Sequence, residues 1–364
     1  MIKLERRSAP SLAGMILIPL TAIFLALITG AIFLYINGLT SPKGITWGQV
    51  FAVYFGMLEG AVGSSYGLSE TIVKAIPLML CGLGVSIAFR MQLWNIGAEG
   101  QFHMGAFGAA WVALNFSHLP AYVMLPLMVL AGIICGGIWG LLPGIPRAYL
   151  GVNETITTLM LNYVAILWVN YLVFGPWKDP QGMNFPLSKP FEPSAILPTL
   201  GNSRVHFGLV FALVIAVFLW FALRQSRWGY EVTVIGESSR AASYAGMNIT
   251  KNILMVMFLS GAMAGLAGMA EVSAIAQRMQ QGISPGYGYT AIIVAWLGKL
   301  NPFAILFVSF LLGALQVGGY SVQSSGVPAA IVFMIQGALL FFILGGEIFN
   351  RYKIVYRGKT KMEV

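Results

Sequence analysis

Charge is what this sequence has least of. Only 9% of its 364 residues are charged, and Asp179 is its sole aspartate, whereas a soluble domain carries roughly 25% charged residues. Such a chain cannot clothe a water-facing surface. Cysteine is nearly as scarce. Cys81 and Cys135 lie inside apolar runs with no histidine or cysteine at ligand spacing, which argues against a disulfide framework or a metal site and leaves them as packing residues. His103, His118 and His206 are scattered, and neither an HExxH nor a Gly-x-Ser-x-Gly pattern occurs, so the conventional hydrolytic sets are missing. Gly358-Lys359-Thr360 resembles the end of a phosphate loop, but Lys353 stands where its first glycine belongs. The chain is therefore expected to hold no cofactor and to hydrolyse no ATP by itself.

What it has in abundance is apolar sequence. Hydrophobic residues make up 58% of the chain and the mean hydropathy is +0.80. Runs long enough to cross hydrocarbon, about 20 residues each, recur from one end to the other. Reading them off gives spans at 12–36, 71–89, 101–116, 121–142, 155–174, 206–223, 253–274, 287–297, 304–320 and 329–344. The expectation is an all-α polytopic membrane protein of about ten transmembrane helices, forming one domain over 1–364. The spans at 101–116 and 287–297 are short, so each is expected to work with the glycine-rich segment before it as a broken or re-entrant element. The first run exceeds the roughly 7 to 15 residues of a signal-peptide core and reads as a retained span.

The net charge of +9 invites a nucleic-acid reading, but the basic residues gather at the ends of apolar spans, where membrane orientation explains them. Alternating the loops of ten spans puts 15 of the 21 Lys and Arg on one side, from Lys3 through Arg90, Arg147, Arg224 and Arg240 to Lys361. Lys43, Lys178, Lys189, Arg204 and Arg278 fall on the other, and Lys74 lies within a span. Both termini are then cytoplasmic. Segment 175–204, proline-rich and without helical periodicity, becomes an outer loop; segment 224–252, polar and helix-compatible, lies inside.

Polar residues at membrane depth are expensive and mark function by default. The most informative stretch places Trp94, Asn95, Glu99 and Gln101 beside Gly97 and Gly100. It reads as a translocation-path or gate element, or alternatively as a cytoplasmic turn capped by Asn95 and Glu99. A second cluster opens the fifth span: Asn153 and Glu154 suit a helix start by capping and dipole, while Asn162, two turns inward, faces another helix or the path. Glu271 is acidic near membrane depth, with a structural or a transport role. Gly282 to Tyr289 form a third, Gly- and Pro-interrupted stretch whose backbone must be buried or cavity-lining. Gly132, Gly136 and Gly140, with Gly261 and Gly265, permit close helix approach. Arg90-Met91-Gln92 lies eight residues before Gly100, and Arg278-Met279-Gln280 eight before Gly288. That echo, on opposite sides of the membrane, is the kind an inverted repeat produces.

Together, Pro77 to Phe89, the run Trp94-Asn-Ile-Gly-Ala-Glu-Gly-Gln101, Val152-Asn-Glu154 and Thr158 to Tyr163 make the chain resemble, over nearly its whole length, the permease subunits of bacterial ATP-binding cassette importers of the simple-sugar and nucleoside branch. Trp94, where such permeases more often carry Phe or Leu, and the lack of a second basic residue near Arg147 depart from the pattern. The resemblance implies a short coupling helix seated on an ATPase, matching Gly236, Glu237, Ser238, Ser239, Arg240, Ala241, Ala242, Ser243, Tyr244, Ala245 and Gly246. Ser238 or Ser239 suits a cap, Ala241 and Ala242 allow close approach, and Gly246 suits a helix end. It further implies a cytoplasmic ATPase that binds ATP and Mg, a second permease subunit, an extracytoplasmic substrate-binding lipoprotein and a location in the prokaryotic cell membrane. Nucleosides are the expected cargo, with simple sugars physically equivalent. The rival reading is an ion-coupled carrier using Glu99, Glu154 and Glu271.

Overall fold

A computed structural model describes residues 2–6, 12–40, 47–201, 203–325 and 327–356. Lys43 and Gly358-Lys359-Thr360, singled out above, lie outside them. Thirteen α-helices account for most of the described chain: α1 (Leu12–Thr40), α2 (Trp47–Val62), α3 (Ser65–Arg90), α4 (Ala98–Asn115), α5 (Ala121–Leu150), α6 (Glu154–Phe174), α7 (Gly208–Gln225), α8 (Arg227–Glu237), α9 (Ser239–Tyr244), α10 (Ile249–Glu271), α11 (Tyr287–Leu297), α12 (Pro302–Ser321) and α13 (Ala330–Arg351). The all-α polytopic architecture holds, with one small addition: β1 (Ile2–Arg6) pairs antiparallel with β2 (Tyr352–Tyr356). This pairing brings the two ends of the chain together.

Each of the ten expected spans coincides with a helix. Among the described residues seven are long and apolar enough to cross a bilayer: α1, α3, α5, α6, α7, α10 with its extension to Ala276, and α12. A count of ten is thus not reached on length and composition alone. At about 1.5 Å per residue, the 11 residues of α11 cover only about half of a 30 Å hydrocarbon core. A helix missed in the sequence, α2, occupies the segment between the first two expected spans.

Two compact units emerge, one of residues 1–57 with 318–364 and the other of 58–317. In the first, α1 packs on α13. Gly30 faces Ile335 so closely that an added Cβ would sit 2.6 Å from its side chain, and the Tyr54 hydroxyl donates to Leu27 O at 2.6 Å.

The second unit is built around α3 and α10. Of their most apolar stretches 89% and 78% are buried, against 28–33% in α5, α6 and α7, whose outer faces are left for lipid. The small-residue spacing accounts for the tightest crossing. Gly136 lies on Gly261 O and Gly265 on Gly132 O, with no room for a Cβ on either helix. The α5–α10 backbones therefore touch, as in lipid, where van der Waals packing replaces the hydrophobic effect between helices. Gly268 meets Phe102 O in the same manner, which draws α4 onto α10.

Candidate functional site

Between α3 and α4 the chain leaves the helix for a turn centred on Gln92, whose φ is +60°. The residues that follow form a buried knot of hydrogen bonds. Asn95 and Gln101 pair reciprocally through their amides, each bond at 3.0 Å, and Asn95 Nδ2 also donates to Ser260 Oγ of α10 at 2.9 Å. Gly97 N donates to Asn95 Oδ1 at 3.0 Å. All four polar capacities of the Asn95 amide are thus engaged, as burial demands.

Asn162, fully buried on α6, answers the question its sequence position raised. Its Oδ1 accepts from Gly100 N at 2.8 Å, and its Nδ2 donates to Ile96 O at 2.9 Å and to Tyr289 Oη at 3.3 Å. Gly100 must be glycine for this: an added Cβ would stand 2.9 Å from Asn162 Cα. One turn earlier on α6, Thr158 Oγ1 accepts from Ile96 N at 3.3 Å. Glu154 takes Trp94 N on Oε1 at 3.0 Å and Arg147 Nε on Oε2 at 3.1 Å.

Glu99 sits in the first turn of α4 and accepts Gly288 N, from the first turn of α11, at 2.7 Å. One carboxylate therefore lies at the positive ends of two helices, the arrangement the backbone dipoles favour. His103 Nδ1 donates to Glu99 O at 2.8 Å and stands 3.9 Å from Oε1. The sequence singled out Glu99 and, in the stretch from Gly282 to Tyr289, Gly288, but did not pair the two; its echo set Gly288 beside Gly100, the neighbour of Glu99.

Two candidates stand apart from the knot. Asn153 is exposed and caps α6, accepting from Thr155 N at 2.9 Å. Trp94 is 42% exposed, its ring against Phe89 and Trp296 with centroids 5.2 and 5.9 Å away. His206, at the end of the outer-loop segment, is also separate. Its Nδ1 accepts from Gly208 N at 3.2 Å.

Segment 236–246 has the opposite character. Ser238, rather than Ser239, caps α9, accepting from Ala241 N at 3.2 Å, and Gly246 ends the turn at φ +72°. Glu237, Ser238, Ser239, Arg240, Ala241, Ser243, Ala245 and Gly246 are exposed, and Tyr244 is 89% exposed. Ala242 is a correction: it is buried, because its side of α9 turns inward, and offers no close approach to another protein. Gly236 lies against Arg90 O with no room for a Cβ. A polar cavity of about 170 Å³ between Gly236, Glu237 and Ser239 on one side and Met91, Gln92, Leu93 and Arg147 on the other joins this segment to the knot.

Residues 67–344 match the family model described as the permease component of the branched-chain amino acid transport system. The chain belongs to this family. A glucose ABC transporter permease protein of Haloferax volcanii is 39% identical over 82% of this chain and 81% of its own length. A guanosine ABC transporter permease protein of Bacillus subtilis is 35% identical over 90% and 92%. A nucleoside ABC transporter permease protein of Lactococcus lactis is 30% identical over 90% of each. The permease is therefore the membrane-spanning, multi-pass subunit of an ATP-binding cassette importer, and a component of this kind is not itself the catalyst; ATP hydrolysis and substrate capture belong to partner subunits. Family membership removes the ion-coupled carrier as the leading alternative.

Proposed function

We propose that this permease passes nucleosides into the cell, with α9 as its ATPase-docking element. The exposed, capped helix of residues 239–244 supports the docking role. It is the short helix of a polar segment flanked by the long apolar α7 and α10, and the end of α8 just before it packs back, through Gly236, onto the turn that opens the knot. A force applied to α9 has a short, close-packed route into the helices. The ATPase binds ATP and Mg; a second permease subunit and an extracytoplasmic binding protein complete the importer. The termini and residues 224–252 lie in the cytoplasm and 175–204 outside, in keeping with the basic-residue bias. The family match runs across both compact units, in keeping with one permease domain over the chain.

In this reading the knot holds α4, α6, α10 and α11 as one body that rocks between two states set by differential contacts with the partners. Asn95, Glu99, Gln101, Glu154 and Asn162 serve the gate as its rigid frame, since the protein itself occupies their hydrogen-bonding groups. Trp94, half exposed beside them, is the member placed to line the path.

Guanosine and nucleoside relatives that align over nine-tenths of the chain support the cargo choice; the glucose relative, higher in identity, supports hexoses as the second reading. The test is ATP-driven uptake by the complete complex in proteoliposomes, offered labelled guanosine, glucose and leucine in turn. Guanosine accumulation that Ala241→Arg abolishes, together with loss of ATPase co-purification, is the expected result. Uptake of leucine alone, or an unaltered complex with Ala241→Arg, contradicts the proposal.

A further inference from the structure

The ionisable groups the knot leaves unused meet elsewhere in the second unit. Lys74 on α3 directs Nζ to Tyr287 Oη at 3.1 Å and to Glu271 Oε1 at 4.0 Å. Both charged residues belong to helices that are apolar and long enough to cross the membrane, α3 and α10. A charge pair at that depth is rare unless it faces a cavity or a passage.

Three features argue against a purely structural strut. First, Glu271 is 5% exposed, yet its Oε2 has no hydrogen-bond partner among the described residues. A buried carboxylate oxygen left without a donor costs free energy, whereas every polar atom of Asn95 is satisfied in the knot nearby. Second, the pair is open on one flank, because the Lys74 side chain retains 24% exposure. Third, α10 gives way directly after Glu271 to a π-helical turn, Val272–Ala276, and then to Gln277 at φ +54°. Such π turns recur at functional sites. This one is tied to the outer-loop segment: Ser273 Oγ donates to Ala195 O at 2.6 Å and accepts from Leu197 N at 3.0 Å, and Phe191 N donates to Gln277 O at 2.8 Å.

We propose that Lys74 and Glu271, positioned by Tyr287, form a cargo-contact site that recognises the hydroxyl groups of a sugar ring. The free Glu271 oxygen accepts from a hydroxyl while Oε1 stays with Lys74, so the ion pair need not be broken. The Lys74 ammonium holds an adjacent hydroxyl oxygen, and the fully buried Tyr287 phenol keeps that ammonium in place. The paired charges suit an uncharged polyol; a zwitterionic amino acid would require both charges to be released. Ribose and glucose present the same donors, so the site serves either cargo named for the relatives. The inference rests on the nucleoside or hexose reading above and specifies the residues that read the cargo.

The experiment compares ATP-driven uptake of guanosine and 2′,3′-dideoxyguanosine by the complete complex, with each cargo saturating the binding protein. Glu271→Gln is expected to lower guanosine turnover about tenfold, the order lost with a charge-assisted hydrogen bond, and to change dideoxyguanosine turnover less than twofold. Tyr287→Phe, which keeps the ring and removes only the hydroxyl, is expected to reproduce the same bias in a weaker form and serves where Glu271→Gln does not assemble. Equal loss for both cargoes, or no loss for either, overturns the site and leaves the nucleoside reading intact. If the wild type moves glucose and not guanosine, that reading fails, and the same comparison between glucose and 2-deoxyglucose decides the site. Transport of leucine alone overturns both.

Discussion

Residues 93–101 and residues 236–246 are both polar, glycine-bearing interruptions between apolar helices, yet they are built in opposite ways. In the first, apart from Trp94, the polar side chains are turned inward: Asn95 bonds Ser260 of α10 and Glu99 accepts a backbone amide of α11, while Thr158 and Asn162 of α6 accept the stretch's own amides at Ile96 and Gly100. In the second, apart from Ala242, the side chains are turned outward, and the main polar contact is the local cap of Ser238. Buried polar groups fix one arrangement, because each missing partner costs on the order of 1–3 kcal/mol; exposed ones leave a surface free to bind. Polarity in an apolar chain thus has two uses, and the burial of the side chains separates them.

The contrast is broken most severely at Asn162. Replacement by Leu orphans the buried Gly100 N and the part-buried Ile96 O, and should cost about 2–4 kcal/mol. The expected outcome is a fall in the thermal unfolding midpoint of the purified permease in nanodiscs, and loss of full-length protein from the membrane. An unchanged midpoint would mean that water reaches the knot. A smaller effect should follow Arg147→Ala. Glu154 Oε2 then loses its ion partner but keeps Trp94 N on Oε1, and because Arg147 is partly exposed, solvent makes up part of the loss, which leaves about 1–2 kcal/mol. Protease digestion of the detergent-solubilised protein near Gly151 should accelerate, while a loss as large as that of Asn162→Leu would show Arg147 to be an integral part of the knot.

Much of this arrangement is legible in the sequence. Glycines four apart on two spans announce a close crossing, and α5 and α10 cross there. Asn162 lies too deep in its helix to be a cap, which leaves only another element as its partner. Ser238 and Gly246 bound a short helix by cap and left-handed turn. What stays hidden depends on contacts distant along the chain. The Glu99 partner Gly288 lies 189 residues away, and no local pattern identifies it. Helix α2 escapes because Gln49, Glu59 and three glycines interrupt its 16 residues, fewer than the roughly 20 of a span. The pairing of Ile2–Arg6 with Tyr352–Tyr356 joins the two ends of the chain. Which face of α9 points inward is set by packing, so Ala242 gave no sign of its burial.

The smallest expected effect tests the outward-facing region alone. Ser238 is exposed and satisfies one amide, Ala241 N, of a helix only six residues long. Removing the cap with Ser238→Ala costs such a helix about 1 kcal/mol, without unpairing any group of the knot. The unfolding midpoint of the permease should therefore stay where it is. If the ATPase binds α9 as a formed helix, its apparent affinity falls with the fraction of α9 that is helical, by up to about fivefold for that loss. Ser238→Asp, which supplies a carboxylate cap favoured by the helix dipole, should restore most of it. Titration of the purified ATPase against the permease in nanodiscs measures both variants. A drop in affinity that Ser238→Asp fails to reverse would show that the Ser238 hydroxyl contacts the ATPase directly, and then exposure of this segment, not its helical form, is what sets it apart from the knot.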